Sequence, residues 1–164
     1  MQTDWQRING SWYWLGYDGA MRDGWQKVIG SWYYLGESGA MVTGWQRLNN
    51  NWDWYYFGSD GAMRTGWLFY NGSWYWLDTA GKFEGKMRTY MQEIDGKTYY
   101  LGDDGIMRTG WVAYGGWYYF DASDATVHDR WVGDYYLLSD GHMATNQRID
   151  GYWAGSDGKW VPGA

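Results

Sequence analysis

The side chains with the greatest scope for chemistry in this 164-residue sequence are aromatic. There are 16 Trp, 17 Tyr and 4 Phe, against 2 His and no Cys. The electron-rich face of an aromatic ring attracts a cation, and the flat face also packs against an apolar surface. The rings therefore predict recognition of a cation or of a flat ligand rather than bond-breaking chemistry.

These rings recur at a nearly fixed interval, which indicates a repeat architecture. Trp5, Trp25 and Trp45 lie 20 residues apart. Trp67, Met91, Trp111 and Trp131 take the same place further along the chain. We predict a single repeat module over 4–158 of about eight units, the last an atypical C-terminal cap: 4–23, 24–43, 44–65, 66–89, 90–109, 110–129, 130–145 and 146–164.

Each unit has the pattern of a β-hairpin. Two-residue primed turns need positive φ at both residues. Four dipeptides match them: Asn9-Gly10, Asn71-Gly72, Asp95-Gly96 and Asp150-Gly151. With the first as the turn, Trp5 lies opposite Trp14 and Arg7 opposite Trp12. Because side chains alternate between faces, the three Trp of this hairpin share one face.

Units of irregular length keep the same pairing. Their predicted turns and opposed rings are Asn50-Asn51 with Trp45 and Tyr56, Tyr114-Gly115-Gly116 with Trp111 and Tyr119, and Gly133-Asp134 with Trp131 and Tyr136. Further glycines mark the turn into the next hairpin: Gly19, Gly39, Gly61, Gly81, Gly105 and Gly141. Isolated hairpins are marginal in water, so we predict an all-β solenoid of stacked β-hairpins, stabilised by neighbour interfaces. With few Val and Ile, rings and Met are expected to supply most of the apolar area.

One unit carries a family resemblance. Its segments Gly24-Trp25, Trp32-Tyr33-Tyr34-Leu35, Gly39-Ala40-Met41 and Thr43-Gly44-Trp45 resemble the choline-binding, or cell-wall-binding, repeat of Gram-positive surface proteins and lytic enzymes. The resemblance extends from Asp4 to Gly158. It implies a hairpin solenoid, usually left-handed, attached to a separate catalytic or effector domain. It also implies a cell-surface or secreted location, and sites between hairpins for the choline of teichoic acids or, in relatives, for glucans and other polysaccharides.

By this resemblance, two Trp of one hairpin and one ring of the next form an aromatic box. The predicted boxes are Trp5, Trp12 and Tyr34; Trp25, Trp32 and Tyr56; Trp45, Trp54 and Trp76; Trp67, Trp74 and Tyr100; and Trp111, Trp117 and Tyr136. The family's Met position, which closes the cleft floor, falls on Met21, Met41, Met63, Met87 and Met143. Met91 and Thr98 replace both Trp of the fifth unit, so its box is expected to be absent or weak. In the seventh unit the second Trp position falls in the turn near Asp134.

Composition argues against several other functions. The net charge of −6 disfavours non-specific nucleic-acid binding, and no run of 18 apolar residues predicts membrane insertion. The start MQTDWQ lacks the pattern of a signal peptide. His128 and His142 lie in irregular late units and are interpreted as turn or surface residues. Acidic residues in Gly-containing turns are interpreted as turn elements. We therefore expect no catalytic residues, metal site or cofactor.

Three interpretations of the rings stay open. The first is a non-catalytic module that binds choline-type cell-wall groups. The second is a carbohydrate-binding module for glucan or host glycan that uses the same rings as stacking platforms. The third is a structural spacer, in which the rings are core. Three or four rings in a unit exceed what stacking needs, which favours ligand binding, and the density of Trp favours choline.

Overall fold

The computed structural model describes residues 2–48, 53–121, 123 and 125–162. In these residues the strands pair as eight antiparallel hairpins, numbered 1 to 8 along the chain: β1 (Asp4–Ile8) with β2 (Ser11–Leu15), β3 (Gly24–Val28) with β4 (Ser31–Leu35), β5 (Gly44–Leu48) with β6 (Asp53–Phe57), β7 (Gly66–Tyr70) with β8 (Ser73–Leu77), β9 (Tyr90–Ile94) with β10 (Lys97–Leu101), β12 (Gly110–Ala113) with β13 (Trp117–Phe120), β14 (Arg130–Val132) with β15 (Tyr135–Leu137), and β16 (Gln147–Ile149) with β17 (Tyr152–Ala154). Two short strands, β11 (Met107–Arg108) and β18 (Trp160–Val161), extend hairpins 5 and 8.

The predicted all-β fold of hairpin repeats is confirmed. In the described part of the chain the helical structure is one 3₁₀ turn, Gly81–Phe83, and no helix has the length and apolar content needed to cross a membrane. The chain divides into two compact units, Met1–Met87 with hairpins 1 to 4 and Arg88–Ala164 with hairpins 5 to 8. The single module over 4–158 stays a prediction.

The predicted register is confirmed in regular and irregular hairpins. Trp5 pairs with Trp14 and Arg7 with Trp12 in hairpin 1. The irregular hairpins also keep their opposed rings: Trp45 with Tyr56, Trp111 with Tyr119, and Trp131 with Tyr136. The predicted Asn50-Asn51 turn of hairpin 3 lies outside the described residues. Register therefore survives changes of turn length, because a one-residue slip would move every ring to the opposite face.

The tight turns have the backbone that the dipeptides predict. Asn9 and Gly10 have φ of 51° and 88°, as a primed turn requires. Hairpin 2 makes the same turn with Ile29 and Gly30, at 45° and 84°. The positive φ of Ile29 is strained, because its branched Cβ crowds the backbone in the left-handed region.

The most deeply buried side chains are aliphatic and Phe rather than Trp. The six largest fully buried side chains each end the second strand of a hairpin: Leu35, Phe57, Leu77, Leu101, Phe120 and Leu137. The segment after each of these strands folds back against it, as in the bridges Leu35–Met41 and Phe57–Met63. Several Trp stay more than a third exposed: Trp12, Trp54, Trp74, Trp111 and Trp117. The deepest positions are therefore held by Leu and Phe rather than Trp, and ring surface stays available to solvent.

Candidate functional site

Side chains at four positions of the repeat line a pocket where hairpins 2 and 3 meet. Trp25 and Trp32, on the two strands of hairpin 2, occupy the first-ring and second-ring positions. Hairpin 3 supplies Tyr55 at the next-hairpin position and Met63 at the floor position. These four residues line a cavity of about 340 Å³, called pocket 2.

The rings of pocket 2 stand nearly at right angles to one another. The ring centres of Trp25 and Trp32 are 6.1 Å apart with planes at 88°, and those of Trp25 and Tyr55 are 5.0 Å apart at 71°. The Met63 N–H donates to the Trp32 carbonyl oxygen at 2.7 Å, which holds the floor residue beside the second ring. The arrangement presents several ring walls around one small volume.

Pocket 6 repeats this geometry in the second compact unit. Trp111, Trp117, Tyr135 and Met143 take the four positions and line a cavity of about 390 Å³. The centres of Trp111 and Tyr135 are 5.1 Å apart at 72°. The Met143 N–H donates to the Trp117 carbonyl oxygen at 2.7 Å. The same backbone contact thus positions the floor residue in both units.

Hairpins 1 and 3 place rings in the same way. We call the four residues at these two places set 1 and set 3. In set 1, Trp5 lies 4.9 Å from Tyr33, and the N–H of Met41 donates to the carbonyl oxygen of Trp12. Set 3 consists of Trp45, Trp54, Tyr75 and Met87, with Trp45 lying 5.0 Å from Tyr75 and 6.3 Å from Trp54.

Models of a known repeat family match successive segments of the chain. Models of the choline-binding repeat match residues 2–44, 42–82 and 89–131 in one form and 125–160 in another. The chain belongs to the choline-binding repeat family. A comparison with curated proteins finds no significant match.

Three solved structures resemble this chain over 78% to 98% of its length. Choline-binding protein F from Streptococcus pneumoniae is 38% identical with a TM-score of 0.85, over 98% of this chain and 57% of that one. CbpJ from Streptococcus pneumoniae is 38% identical with a TM-score of 0.86, over 98% of this chain and 58% of that one. A pneumococcal cell wall endolysin from phage Cp-1, complexed with choline, is 28% identical with a TM-score of 0.52, over 78% of this chain and 37% of that one. The chain thus spans a little over half the length of the first two proteins.

The third ring of four of the five predicted boxes in this choline-binding repeat chain requires correction. Tyr34, Tyr56, Trp76 and Tyr136 were expected at the next-hairpin position, and the structure places there the residue before each: Tyr33, Tyr55, Tyr75 and Tyr135. Tyr34 instead lies 5.4 Å from Trp25 of its own hairpin, directly across the strand pair. Side chains alternate, so the ring that faces the preceding hairpin is one residue earlier.

The remaining predicted residues divide between the two compact units. Trp67 and Trp74 lie 6.3 Å apart in the first unit, whereas Tyr100 belongs to the second, so their shared box stays a prediction. Met21 is half exposed, and its sulfur lies against Gly39 of the following turn. Met41 and Met63 contact Gly61 and Gly85 in the same way.

Two carboxylates that the sequence analysis does not single out also line the pockets. Glu84, with Gly81 and Lys82, lines pocket 2, and Asp157 lines pocket 6. Asp157 also keeps its turn role, since its Oδ1 accepts a hydrogen bond from the Lys159 N–H at 3.0 Å. The sequence signal for both is an acidic residue immediately before the turn glycine, two hairpins beyond the Trp pair.

Hairpin 5 retains the four positions without the ring box. They are occupied by Met91, Thr98, Tyr118 and Thr126, and the Thr126 N–H donates to the Thr98 carbonyl oxygen at 2.9 Å. One of these four residues, Tyr118, carries an aromatic ring, and an absent or weak box at this place stays a prediction.

Tyr118 contacts His142, a residue that the sequence analysis interprets as a turn or surface residue. The hydroxyl of Tyr118 lies 2.7 Å from His142 Nε2, and His142 Nδ1 lies 3.1 Å from Asp140 Oδ2. Burial and the nearby Asp140 charge raise the pKa of Tyr118 above its usual value. Across the described residues, no group of three or more His, Cys, Asp or Glu side chains is arranged to hold a metal ion.

Proposed function

We propose that this chain is a non-catalytic cell-wall-binding module that holds choline-type quaternary ammonium groups in its aromatic pockets. The observation that carries the proposal is pocket 2, where nearly perpendicular rings of Trp25, Trp32 and Tyr55 share one cavity, which Glu84 and Lys82 also line. A quaternary ammonium has no N–H to donate, so ring faces and a nearby negative charge are what can recognise it. Each cation–π contact contributes about 0.5 to 2 kcal/mol.

Cationic side chains already use the second rings in this way. The Lys27 Nζ lies 5.2 Å from the Trp32 ring centre, and Arg7 and Arg47 lie 5.9 Å from those of Trp12 and Trp54. These contacts support the assignment of the second-ring position as a cation-binding surface.

The charges of the pocket linings bear on whether the ligand is a cation or a neutral sugar. In pocket 6 Asp157 attracts a positive head group, whereas in pocket 2 Lys82 lines the cavity together with Glu84 and offsets its charge. Stacking on the rings serves either ligand, and a carboxylate also accepts hydrogen bonds from sugar hydroxyls. The charge of Asp157 therefore favours choline over the carbohydrate alternative.

Several weak sites in one chain suit a polymer with repeated head groups. Each pocket holds its ligand weakly, because a few contacts must offset lost freedom and desolvation. Once one site is filled, the others experience a high effective concentration, which raises avidity by about 10² to 10⁴. We infer that the module anchors an extracellular surface protein or lytic enzyme to choline-bearing polymers such as teichoic acids.

The first test is a fluorescence titration of the whole chain with three ligands. Choline should produce a saturable change in Trp emission. The neutral isostere 3,3-dimethylbutan-1-ol, with carbon in place of the charged nitrogen, should bind at least tenfold more weakly. Glucose oligomers should have little effect. A stronger response to the oligomers than to choline would support the carbohydrate-binding function instead.

The second test is retention on a choline-bearing matrix. Free choline should release the protein, whereas moderate salt should not, because contacts within the ring pockets are little screened. The long-range attraction between the acidic chain, with its net charge of −6, and a cationic matrix is the part that salt removes. Elution by salt without a response to choline would indicate ordinary charge attraction and contradict the proposal.

A further inference from the structure

We infer that hairpins 7 and 8 form an additional quaternary-ammonium site, pocket 7, in which the lost second ring is replaced by a Trp at the floor position. The pocket is lined by Trp131, Gly133, Asp134, Tyr152 and Trp160 and has a volume of about 390 Å³. The inference rests on the proposed function, and it concerns a site whose residues depart from the repeat pattern at two of four positions.

Backbone contacts establish which residues are equivalent. The Trp160 N–H donates to the Asp134 carbonyl oxygen at 2.8 Å, as the Met143 N–H does to the Trp117 carbonyl oxygen in pocket 6. Trp160 pairs with Ala154, the last residue of its hairpin's second strand, just as Met143 bridges Leu137. Asp134 therefore occupies the second-ring position and Trp160 the floor position.

The exchange restores the number of ring walls. The ring centres of Trp131 and Tyr152 are 6.1 Å apart with planes at 83°, and those of Tyr152 and Trp160 are 6.0 Å apart at 77°. Three nearly perpendicular rings again face one volume, as in pocket 2. Tyr152 is 51% exposed and Trp160 38% exposed, so their faces are accessible to a ligand.

The exchange also places a carboxylate where the other pockets have a ring. The Asp134 Oδ2 lies 3.4 Å from the Lys159 Nζ, and both side chains are about half exposed. An exposed ion pair of this kind contributes about 1 kcal/mol or less, so a ligand cation is able to compete with Lys159 for the carboxylate. Recognition in pocket 7 therefore has a larger charge component and a stronger salt dependence than in pocket 2.

The experiment is a choline titration of the whole chain followed by the indole N–H signals in ¹H–¹⁵N NMR. Trp131 reports on pocket 7, while Trp25 and Trp111 report on pockets 2 and 6 in the same sample. All three signals should shift and saturate in the unsubstituted protein. Trp160→Ala should abolish the response of Trp131 and leave those of Trp25 and Trp111 unchanged, which also shows that the rest of the chain stays folded.

Two nearly isosteric variants test the charge without removing a ring. Asp134→Asn should weaken choline binding at Trp131 about two- to fivefold, and Lys159→Gln should strengthen it by a similar factor by freeing the carboxylate. Unchanged affinity in both variants would overturn the role of Asp134. A silent Trp131 beside responsive Trp25 and Trp111 would overturn pocket 7 and leave the proposed function intact, whereas silence at all three would contradict the proposed function itself.

Discussion

Hairpins 2 and 5 share one backbone arrangement but carry different side chains at the pocket positions. Trp25 pairs with Tyr34 in hairpin 2, and Met91 pairs with Tyr100 in hairpin 5. Both second strands end in a fully buried Leu, at Leu35 and Leu101. The strand pairing and the fully buried Leu at the end of the second strand are therefore the same with and without the Trp pair.

The comparison of hairpins 2 and 5 distinguishes the residues needed for strand pairing from the rings that line a pocket. Hairpin 5 folds with Thr98 where hairpin 2 has Trp32, so the second ring is not required for the strand pairing. Pocket 7 shows a third solution, because it retains three rings although Asp134 takes the second-ring position. Ring positions vary because they lie at the edge of solvent, whereas the fully buried positions that end the second strands hold only Leu and Phe, since burying a polar group there is costly.

The prediction with the largest expected effect concerns the fully buried Leu that ends the second strand in both hairpins. Leu35→Ala and Leu101→Ala should each lower the free energy of unfolding by about 2 to 5 kcal/mol, because each removes a fully buried side chain and leaves a cavity. Urea denaturation followed by circular dichroism measures both, with Thr98→Ala as a nearly neutral control. A loss of less than about 1 kcal/mol in the free energy of unfolding for either variant would show that the buried Leu is not the main support of that hairpin.

The second prediction tests the difference at the second-ring position. Trp32→Ala should weaken choline binding at pocket 2 about two- to thirtyfold, the equivalent of one cation–π contact, while Thr98→Ala should change no affinity. The measurement is the choline titration by NMR with Trp25 as the reporter. Trp32→Phe, which keeps a ring face, should retain most of the affinity. Equal effects of Trp32→Ala and Thr98→Ala would contradict the assignment of the pocket.

A third prediction concerns the floor of pocket 2. Gly85 has φ of 79°, and a Cβ at this position would collide with the Met63 sulfur. Gly85→Ala should lower stability by about 1 to 2 kcal/mol and also weaken choline binding at pocket 2, because Met63 must move.

The matched control for this variant is Gly72→Ala. Gly72 also has φ of 79°, but a Cβ there would meet no atom within 4 Å. It should therefore reproduce the backbone strain without the change in affinity. Equal binding by both variants would show that the position of Met63 does not matter to the ligand.

The smallest effect separates hairpins 2 and 5 at their turns. Hairpin 5 turns at Asp95-Gly96, whereas hairpin 2 places the exposed, branched Ile29 at φ 45°. Ile29→Asn should stabilise the protein by up to about 1 kcal/mol, because Asn tolerates the left-handed region better. Thermal unfolding measures the gain, and Asp95→Ile should give a change of opposite sign. A loss of stability in Ile29→Asn would mean that the Ile side chain contributes more than its strain costs.

The strands and the first two pocket positions were accessible from the sequence because they depend on local rules. Turn dipeptides such as Asn9-Gly10 specify where the chain reverses, and side-chain alternation then places Trp5 opposite Trp14. The fully buried Leu and Phe residues were harder to recognise from the sequence, because Trp and Tyr far outnumber them. Burial depends on what packs over a position, which hairpin periodicity alone does not state.

The sequence by itself determined the repeat, the hairpin register and the placement of Trp25 and Trp32 on the two strands of one hairpin, because all three follow from short-range spacing. Only the tertiary structure decided that Tyr55 rather than Tyr56 completes pocket 2, since this depends on which face of one hairpin meets the next. It likewise brought Glu84 to that pocket and Trp160 to the floor of pocket 7. These residues lie far along the chain from the Trp they join, and only packing between hairpins sets which of them meet.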